Sequence, residues 1–344
     1  MSEYIRRIAV GPTMSKDLER DEARRGMAAV LDGSVDPVQA AIFLVALRMK
    51  RETLAENLGV LDALRAATTV ARADVPELVD LADPYDGYER MLPANPFLPA
   101  VLAACGLPTV SHGCTSMPPK DGATHRSILE AAGIDCQRSP AEVAARIADP
   151  AIGWGYVDVT QFSPAQAALI ALRRLIVKRP CLSTLEKLCA PVRAERLHLV
   201  VGYVHIAYQS LLGELAQDAG YTSALVIKGA EGGVVPKLQR TVTTSRLVAG
   251  TTSAGEWPID PTTAGITAAS PVPPVGPAES LVADAAQAGL AALTGSPGLT
   301  RDALVLTAAM VLLHLGRQPD LAAAADHVRQ VLDTGAAHRH CHAG

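Results

Sequence analysis

Aromatic side chains are scarce in this 344-residue chain, with 3 Phe, 2 Trp and 7 Tyr, or 3%. A surface that stacks unpaired bases needs aromatic platforms. The scarcity speaks against that use and leaves Ala, Leu and Val to fill the core. A basic excess is missing too. Lys and Arg number 31 against 35 Asp and Glu, a net charge of −4, whereas a protein that neutralises many phosphates usually carries surplus positive charge. No stretch reaches the ~20 consecutive apolar residues of a membrane span; the longest runs, 40–47 and 303–315, are shorter or interrupted. The opening MSEYIRRIAV has no apolar segment followed by a small-residue cleavage site, as a secretory signal would. Six cysteines (Cys105, Cys114, Cys136, Cys181, Cys189, Cys341) show no Cys-x-x-Cys spacing. In a chain this long they read as thiols in a reducing cytoplasm, not as a disulfide framework. Gly and Pro, at 27 and 24 residues, stay well short of a low-complexity composition. With 49% hydrophobic residues, the chain is long enough and apolar enough for about two folded domains.

The first 73 residues read as a small helical domain. A first helix is expected over 17–31, capped by Ser15 and stopped at Gly33. Asp36-Pro37 is a cap followed by proline at the first helical position, and Ala40, Ala41, Leu44, Val45 and Leu47 then recur at helical spacing. Thr53 and Glu56 form a capping box ahead of the stripe Leu54, Leu58, Leu61 and Leu64. Beyond about residue 73, short apolar runs at 78–82, 108–111, 156–159, 197–203, 224–227 and 241–247 alternate with helices near 97–105, 125–132, 141–147, 165–176 and 207–218. This alternation predicts an α/β domain over 74–344, a mostly parallel sheet flanked by helices. The helix near 165–190 is expected to pack on the helical domain. Residues 258–276, rich in Pro, Thr and Ala without a period, read as a long surface segment. Helices follow at 281–293, 301–315 and 321–333. Residues 335–344 read as a flexible tail, in which His338, His340, Cys341 and His342 are metal-ligand types without a supporting frame.

Several runs then fall into a recognisable order: RDEARRGMAAVLDG and ALRMKRETLAENLGVLDALR within 20–65, then GLPTVSHG, KDGATHRSILEAAG, ALVIKGAEGG and RDALVLTAAMVLLHLG. Together they resemble the anthranilate phosphoribosyltransferase family over most of the chain. The pieces TLEKL (184–188), GYVH (202–205) and KGAEGG (228–233) resemble a divergent branch of it. Some members of that branch are described as nucleic-acid-binding proteins and not as tryptophan-pathway enzymes. The resemblance implies that phosphoribosyl pyrophosphate and magnesium sit at the carboxyl ends of the strands. The aromatic amine would enter from the helical side, and two copies would pair through the helical domain. Such chemistry needs main-chain N–H groups and cations for pyrophosphate and carboxylates for magnesium. An oxocarbenium-like sugar also has to be positioned, with the leaving-group charge stabilised.

Carried over residue by residue, the resemblance is uneven. Where the family has Gly-Thr-Gly-Gly-Asp, this chain reads Asp83-Pro84-Tyr85-Asp86-Gly87-Tyr88-Glu89-Arg90. Gly87 is kept, and Arg90 is either a phosphate contact or a solvated loop arginine. Asn95 matches the family's Asn before Ser-Thr, and is a ligand contact or a helix cap. Lys-His-Gly-Asn becomes Ser111-His112-Gly113-Cys114, keeping His112 and Gly113. Lys120, Gly122 and Thr124 follow in a loop that opens a helix, the best surviving anion site. Arg173 falls where the family grips the acceptor's carboxylate, in a basic stretch with Arg174, Lys178 and Arg179. Arg174 and Lys178 there have the i,i+4 spacing. The family's magnesium-binding Asp-Glu pair falls on Val234 and Val235, hydrocarbons that cannot ligate it. Glu231 is a lone, weak metal candidate, and Lys228 stands in place of a His as a further acceptor-side cation.

Two functions follow. One is glycosyl or phosphoribosyl transfer from a small phosphorylated molecule to a small aromatic or base-like acceptor, other than the tryptophan-pathway reaction. Magnesium would enter only if phosphoribosyl pyrophosphate is bound, and no residue is assigned as catalytic. The other is a non-catalytic binding protein on the same fold, for a nucleic acid, a nucleotide or a protein partner.

Overall fold

The computed structural model describes residues 1–11, 13–248, 251, 255–267 and 278–343. Four helices open it: α1 (Ser2–Ile8), α2 (Arg20–Leu31), α3 (Pro37–Lys50) and α4 (Leu54–Ala66). Asp36 accepts from Val38 N, and Thr53 and Glu56 form the reciprocal box, as their spacing predicts. α1 has no counterpart in the sequence reading. The start of α2 also differs. Its cap is Glu19, in a reciprocal box with Glu22, while the Ser15 hydroxyl donates to Ile8 O at 2.8 Å. A carboxylate at a helix N-terminus meets both the free N–H groups and the helix dipole, so Glu19 takes the role expected of Ser15.

A short strand, β1 (Ala71–Arg72), leads to β2 (Glu77–Ala82), α5 (Leu98–Ala104), β3 (Thr109–Gly113), α6 (His125–Ala131), α7 (Pro140–Ala148) and β4 (Trp154–Asp158). The chain then leaves the sheet through α8 (Val159–Phe162), α9 (Pro164–Ile176) and α10 (Leu182–Leu185), with α9 resting on α3 and α2. It returns by β5 (Val192–Arg193), β6 (Arg196–Tyr203), α11 (Ala207–Asp218), β7 (Ser223–Lys228), β8 (Thr244–Leu247) and β9 (Gly255–Glu256). The remaining helices are α12 (Ala278–Leu293), α13 (Leu299–His314), α14 (Leu321–Asp333) and α15 (Ala336–Ala343).

The main sheet has the order β4-β3-β2-β6-β7-β8-β9, and β1 pairs separately with β5. β4 through β7 are parallel in the sheet, while β8 and β9 run antiparallel at its edge. Leu78 and Ala82 on β2 face a core shared with the helical bundle, and Val79 and Leu81 face a second core built with α5 and α13. Burial on both faces explains why the strands read as continuous apolar runs without alternation. Among the described residues no helix is long and apolar enough to cross a membrane.

Two expectations are corrected. Within 258–276, Ile259 pairs with Val242, and Pro261, Ala264 and Ile266 are buried, so the first part packs as core; 268–276 lies outside the described residues. The tail is the helix α15, not a flexible end. Ala337 and Cys341 are buried, Trp154 Nε1 donates to His340 O at 2.8 Å, and Arg146 donates to Ala343 O at 2.8 Å. An apolar side chain every turn gives that short helix a face to bury against α5. The His338 and His342 rings lie 4.3 Å apart, but among the described residues no three His, Cys, Asp or Glu are placed to hold a metal. All six cysteines are free.

The α2–α4 contact depends on Gly59, where a Cβ would lie 2.1 Å from Arg20 O and 2.9 Å from the Ala23 Cβ. Gly59→Ala is therefore expected to destabilise the fold by about 2 kcal/mol. The measurement is a lower urea midpoint at unchanged m-value; an unchanged midpoint would refute the close packing.

Candidate functional site at the strand ends

The carboxyl ends of parallel strands are where open α/β sheets bind ligands. Here the loop after β2 lies against the loop after β3. Tyr88 N donates to Ala123 O (2.9 Å), Ala123 N to Tyr88 O (2.8 Å) and Gly122 N to Asp86 O (3.0 Å). This approach needs glycine at both contacts. A Cβ on Gly87, whose φ is +72°, would lie 2.6 Å from Ala123 O, and one on Gly122 would lie 2.6 Å from Tyr88 O. Lys120 reaches across to Gly87 O and to Glu231 Oε2 (3.0 Å), and stands 4.0 Å from Asp86. Glu231, on the turn after β7, accepts from Glu89 N (3.2 and 3.3 Å) and Arg90 N (2.7 Å). Gly87, the Arg90 backbone, Lys120, Gly122 and Glu231 thus converge, while the Arg90 side chain is exposed.

Beneath this loop layer lies Asp83, fully buried. It accepts from the Tyr88 hydroxyl (2.9 and 3.0 Å), from Val234 N (3.3 Å) and from the Asn95 amide. Burial pushes its carboxyl up to about 7, against the pull of those donors and of Lys187 and Lys120. Lys187, also buried, donates to Gly202 O at 2.8 Å, and its burial brings it down to about 8.

Several expected ligand residues are committed elsewhere. Asn95 is neither a cap nor open to a ligand: it lies in the 3-10 turn Asn95–Phe97, buried, with its amide turned to Asp83. His112 is buried within β3, with Nδ1 2.5 Å from the Tyr85 hydroxyl and Nε2 3.1 Å from Asp80, whose other oxygen accepts from Tyr221 (2.6 Å). Gly113 backs onto Tyr156, whose hydroxyl would lie 3.2 Å from a Cβ there. Thr124 is buried as the cap of α6, accepting from Ser127 N and donating to Thr115 O. Arg173, expected to grip an acceptor carboxylate, instead forks onto the buried Glu186 (2.5 and 3.2 Å) and reaches Ser183 (3.0 Å). A buried guanidinium needs an opposite charge at once, and burial raises the Glu186 pKa while Arg173 opposes the shift. Arg174 and Lys178 do not share a helix, because α9 ends at Ile176 with Val177 left-handed at φ +62°. Arg174 forks onto Asp121 (2.5 and 2.9 Å) and Arg179 onto Asp86 (2.7 and 2.6 Å). Lys228 is half-buried at the end of β7.

Sequence reasoning missed Tyr85, Tyr88, Asp83, Glu186 and Lys187. The available signal was the Glu186-Lys187 pair set between Leu185 and the apolar Leu188-Cys189-Ala190, where two adjacent charges are drawn into burial together.

The residues present do not fit magnesium pyrophosphate. Tyr85 and Tyr88 are buried at the place of the family's glycine turn. Val234 and Val235 are buried at the place of its carboxylates, and both oxygens of Glu231 are taken. Metal-bound phosphate needs several open oxygen ligands, and among the described residues no three His, Cys, Asp or Glu are grouped to hold a metal.

The Asp83 titration is testable. Its folded pKa near 7 lies above the unfolded value of 3.8, so the native state binds more protons between those limits and stability falls as pH rises through them. The difference in unfolding free energy between Asp83→Asn and the unaltered protein should shift by up to ~4 kcal/mol in favour of the variant from pH 4 to 7. A pH-independent difference in urea unfolding would refute the buried carboxyl.

A helical bundle joined to a mostly parallel α/β body, with its polar residues gathered at the strand ends, is the architecture of one class of glycosyl transferases. Residues 2–68 match the model of the glycosyl transferase family helical bundle domain, and 97–338 match that of its a/b domain. An anthranilate phosphoribosyltransferase of Halobacterium salinarum (strain ATCC 29341 / DSM 671 / R1) is 32% identical over 278 residues, 77% of this chain and 78% of that protein. One of Rhodopseudomonas palustris (strain HaA2) is 27% identical over 339 residues, 97% and 94% of the two chains. The crystal structure of the Thermus thermophilus enzyme superposes with a TM-score of 0.77 at 23% identity, covering 99% of this chain and 97% of that one. The Saccharomyces cerevisiae enzyme in complex with PRPP and Mg superposes with a TM-score of 0.78 at 13% identity, covering 99% and 95%. The chain belongs to this glycosyl transferase family, the one that holds the anthranilate phosphoribosyltransferases.

Proposed function

We propose that this anthranilate phosphoribosyltransferase-like protein transfers a glycosyl group from a sugar bearing a single phosphate to a small aromatic or base-like acceptor, and does not run the magnesium-dependent tryptophan-pathway reaction. The observation that supports this reading is a division within the site. The family's pyrophosphate and magnesium positions are taken by buried Tyr85, Tyr88, Val234 and Val235, while Lys120, Arg179 and Lys228 still stand at the strand ends. In such a transfer the C1–O bond breaks with its electron pair going to the phosphate. The acceptor nitrogen bonds to C1 and gives up its proton, which the released phosphate takes. Fixed cations at the leaving group can stabilise that charge without a metal. The nucleic-acid alternative gains no support from a chain with a net charge of −4 and 3% aromatic residues. The reducing cytoplasm fits the six free thiols.

Calorimetric titration with ribose 1-phosphate and with phosphoribosyl pyrophosphate, each with and without magnesium, tests the reading. Ribose 1-phosphate should bind, and magnesium should change neither titration. Heat appearing only with magnesium, or no binding of either sugar at millimolar concentration, would overturn it.

We further propose that the chain forms a homodimer through the helical bundle. Ile8, Ala41, Val45 and Ile176 line an apolar groove between α1, α3 and α9. Around it Val38, Met49 and Leu175 are 66%, 73% and 81% exposed, large apolar side chains gathered at the rim of one groove. Leu175→Glu, a change at an exposed position that leaves the fold intact, should convert a dimeric mass in light scattering to a monomeric one. A monomeric mass for the unaltered chain would refute the pairing.

A further inference from the structure

Glu231 stands out in the strand-end cluster because both of its oxygens are held by groups that belong to other loops. Two consecutive main-chain N–H groups, of Glu89 and Arg90, donate to it at 3.2 and 2.7 Å, and the Lys120 ammonium lies 3.0 Å away. Consecutive amides converging with a cation are the arrangement that holds oxyanions. Glu231 does not build this nest. The loop 86–90 is held by its own pairing with 122–123, through Tyr88 and Asp86, and Lys120 is held also by Gly87 O. The nest therefore persists if the carboxylate withdraws.

Glu231 is well placed to withdraw. It sits at φ +52°, in the left-handed region that costs a residue with a side chain roughly 1 kcal/mol. The turn itself is closed by Ala230 N on Val235 O (2.9 Å) and Gly233 N on Ala230 O (3.0 Å), so withdrawal is a rotation of the Glu231 side chain about a fixed backbone. The local charge points the same way. Lys120 and Arg179 face Asp86 and Glu231, a balanced set. Removing the Glu231 carboxylate leaves one net positive charge in this set, with the exposed side chains of Glu89 and Arg90 offsetting each other at the rim.

We infer that Glu231 is a built-in competitor in an oxyanion site formed by the Glu89 and Arg90 amides and Lys120, and that a phosphate group, free or as a sugar monoester, binds by displacing its carboxylate. The inference rests on the phosphate-donor reading above and adds how that site is held shut.

The test uses Glu231→Gln, which keeps the size of the side chain and removes its charge. Inorganic phosphate is titrated while the amide signals of Glu89 and Arg90 are followed by NMR. The variant should bind phosphate at least tenfold more tightly than the unaltered protein, with both amides shifting, and adding Lys120→Met should abolish the gain. Equal affinity in Glu231→Gln, or a gain that survives Lys120→Met, overturns the inference. Glu231→Asp provides a second, charge-preserving variant. Its shorter arm should yield an intermediate gain, and an unchanged affinity would count against displacement. Ribose 1-phosphate run beside inorganic phosphate separates the two readings. A sugar phosphate that binds with no dependence on Glu231 removes the competitor and keeps the transfer. A phosphate gain in Glu231→Gln without any sugar-phosphate binding keeps the competitor and removes the transfer.

Discussion

The Lys120 ammonium is the point at which three strand-end loops meet. It bonds Gly87 O in the loop after β2 and the Glu231 carboxylate on the turn after β7, from its own place in the loop after β3. It reaches both only because Gly87 and Gly122 let two backbones approach to hydrogen-bonding distance. From this junction a set of ion pairs runs outward, with Asp86 to Arg179, Asp121 to Arg174 and Glu186 to Arg173. Arg174 comes from α9 and Arg179 from the segment after it, so their pairs with Asp121 and Asp86 fasten the helical side of the molecule to the strand-end loops, while Arg173 and Glu186 pair within the helical excursion itself. The exposed pairs are each worth little. The Arg173–Glu186 pair is different, because both partners are buried and removing either would strand the other charge.

The same fold is here furnished with a different interior. In place of a glycine-rich turn, the loop after β2 carries two buried tyrosines. One closes on His112 and the other on Asp83. Asp83 consumes the Val234 amide and the Asn95 side chain. Glu231 consumes the next two amides and Lys120. The strand ends thus hold two of the protein's own carboxylates on main-chain amides and polar side chains drawn from separate loops. A shared fold carries no obligation to share chemistry, and these substitutions alter the electrostatics of the site while leaving the sheet untouched.

Much of the scaffold was legible because its signals are local. The Asp36-Pro37 and Thr53–Glu56 caps mark α3 and α4 where they occur, and the apolar periods of α11 and α14 match those helices end to end. The strands were found as apolar runs because burial on both faces makes them so. The start of α2 was misread because Ser15 is a good cap by residue type, yet Glu19 has Glu22 at the reciprocal position. The tail was misread because its helix is stabilised by Trp154 and Arg146, far away in the chain. In the site, Gly87, Lys120 and Gly122 come together as their motifs imply. His112, Asn95, Thr124 and Arg173 are drawn instead to Asp80, Asp83, the α6 cap and Glu186.

Residue types and short spacings were enough to establish the order of elements, the helical bundle ahead of a parallel sheet, and the hydrocarbon at 234 and 235 that rules out a carboxylate pair there. Which cation meets which carboxylate was decided only by the fold. Lys120 and Glu231 are 111 residues apart, and Arg179 and Asp86 are 93 apart. Such a pairing depends on how separate strand ends are brought side by side, and a charge in a linear sequence has no preferred partner at that distance. Burial by the rest of the chain then turns proximity into commitment, because a charge or polar group removed from water must take the nearest partner the fold supplies.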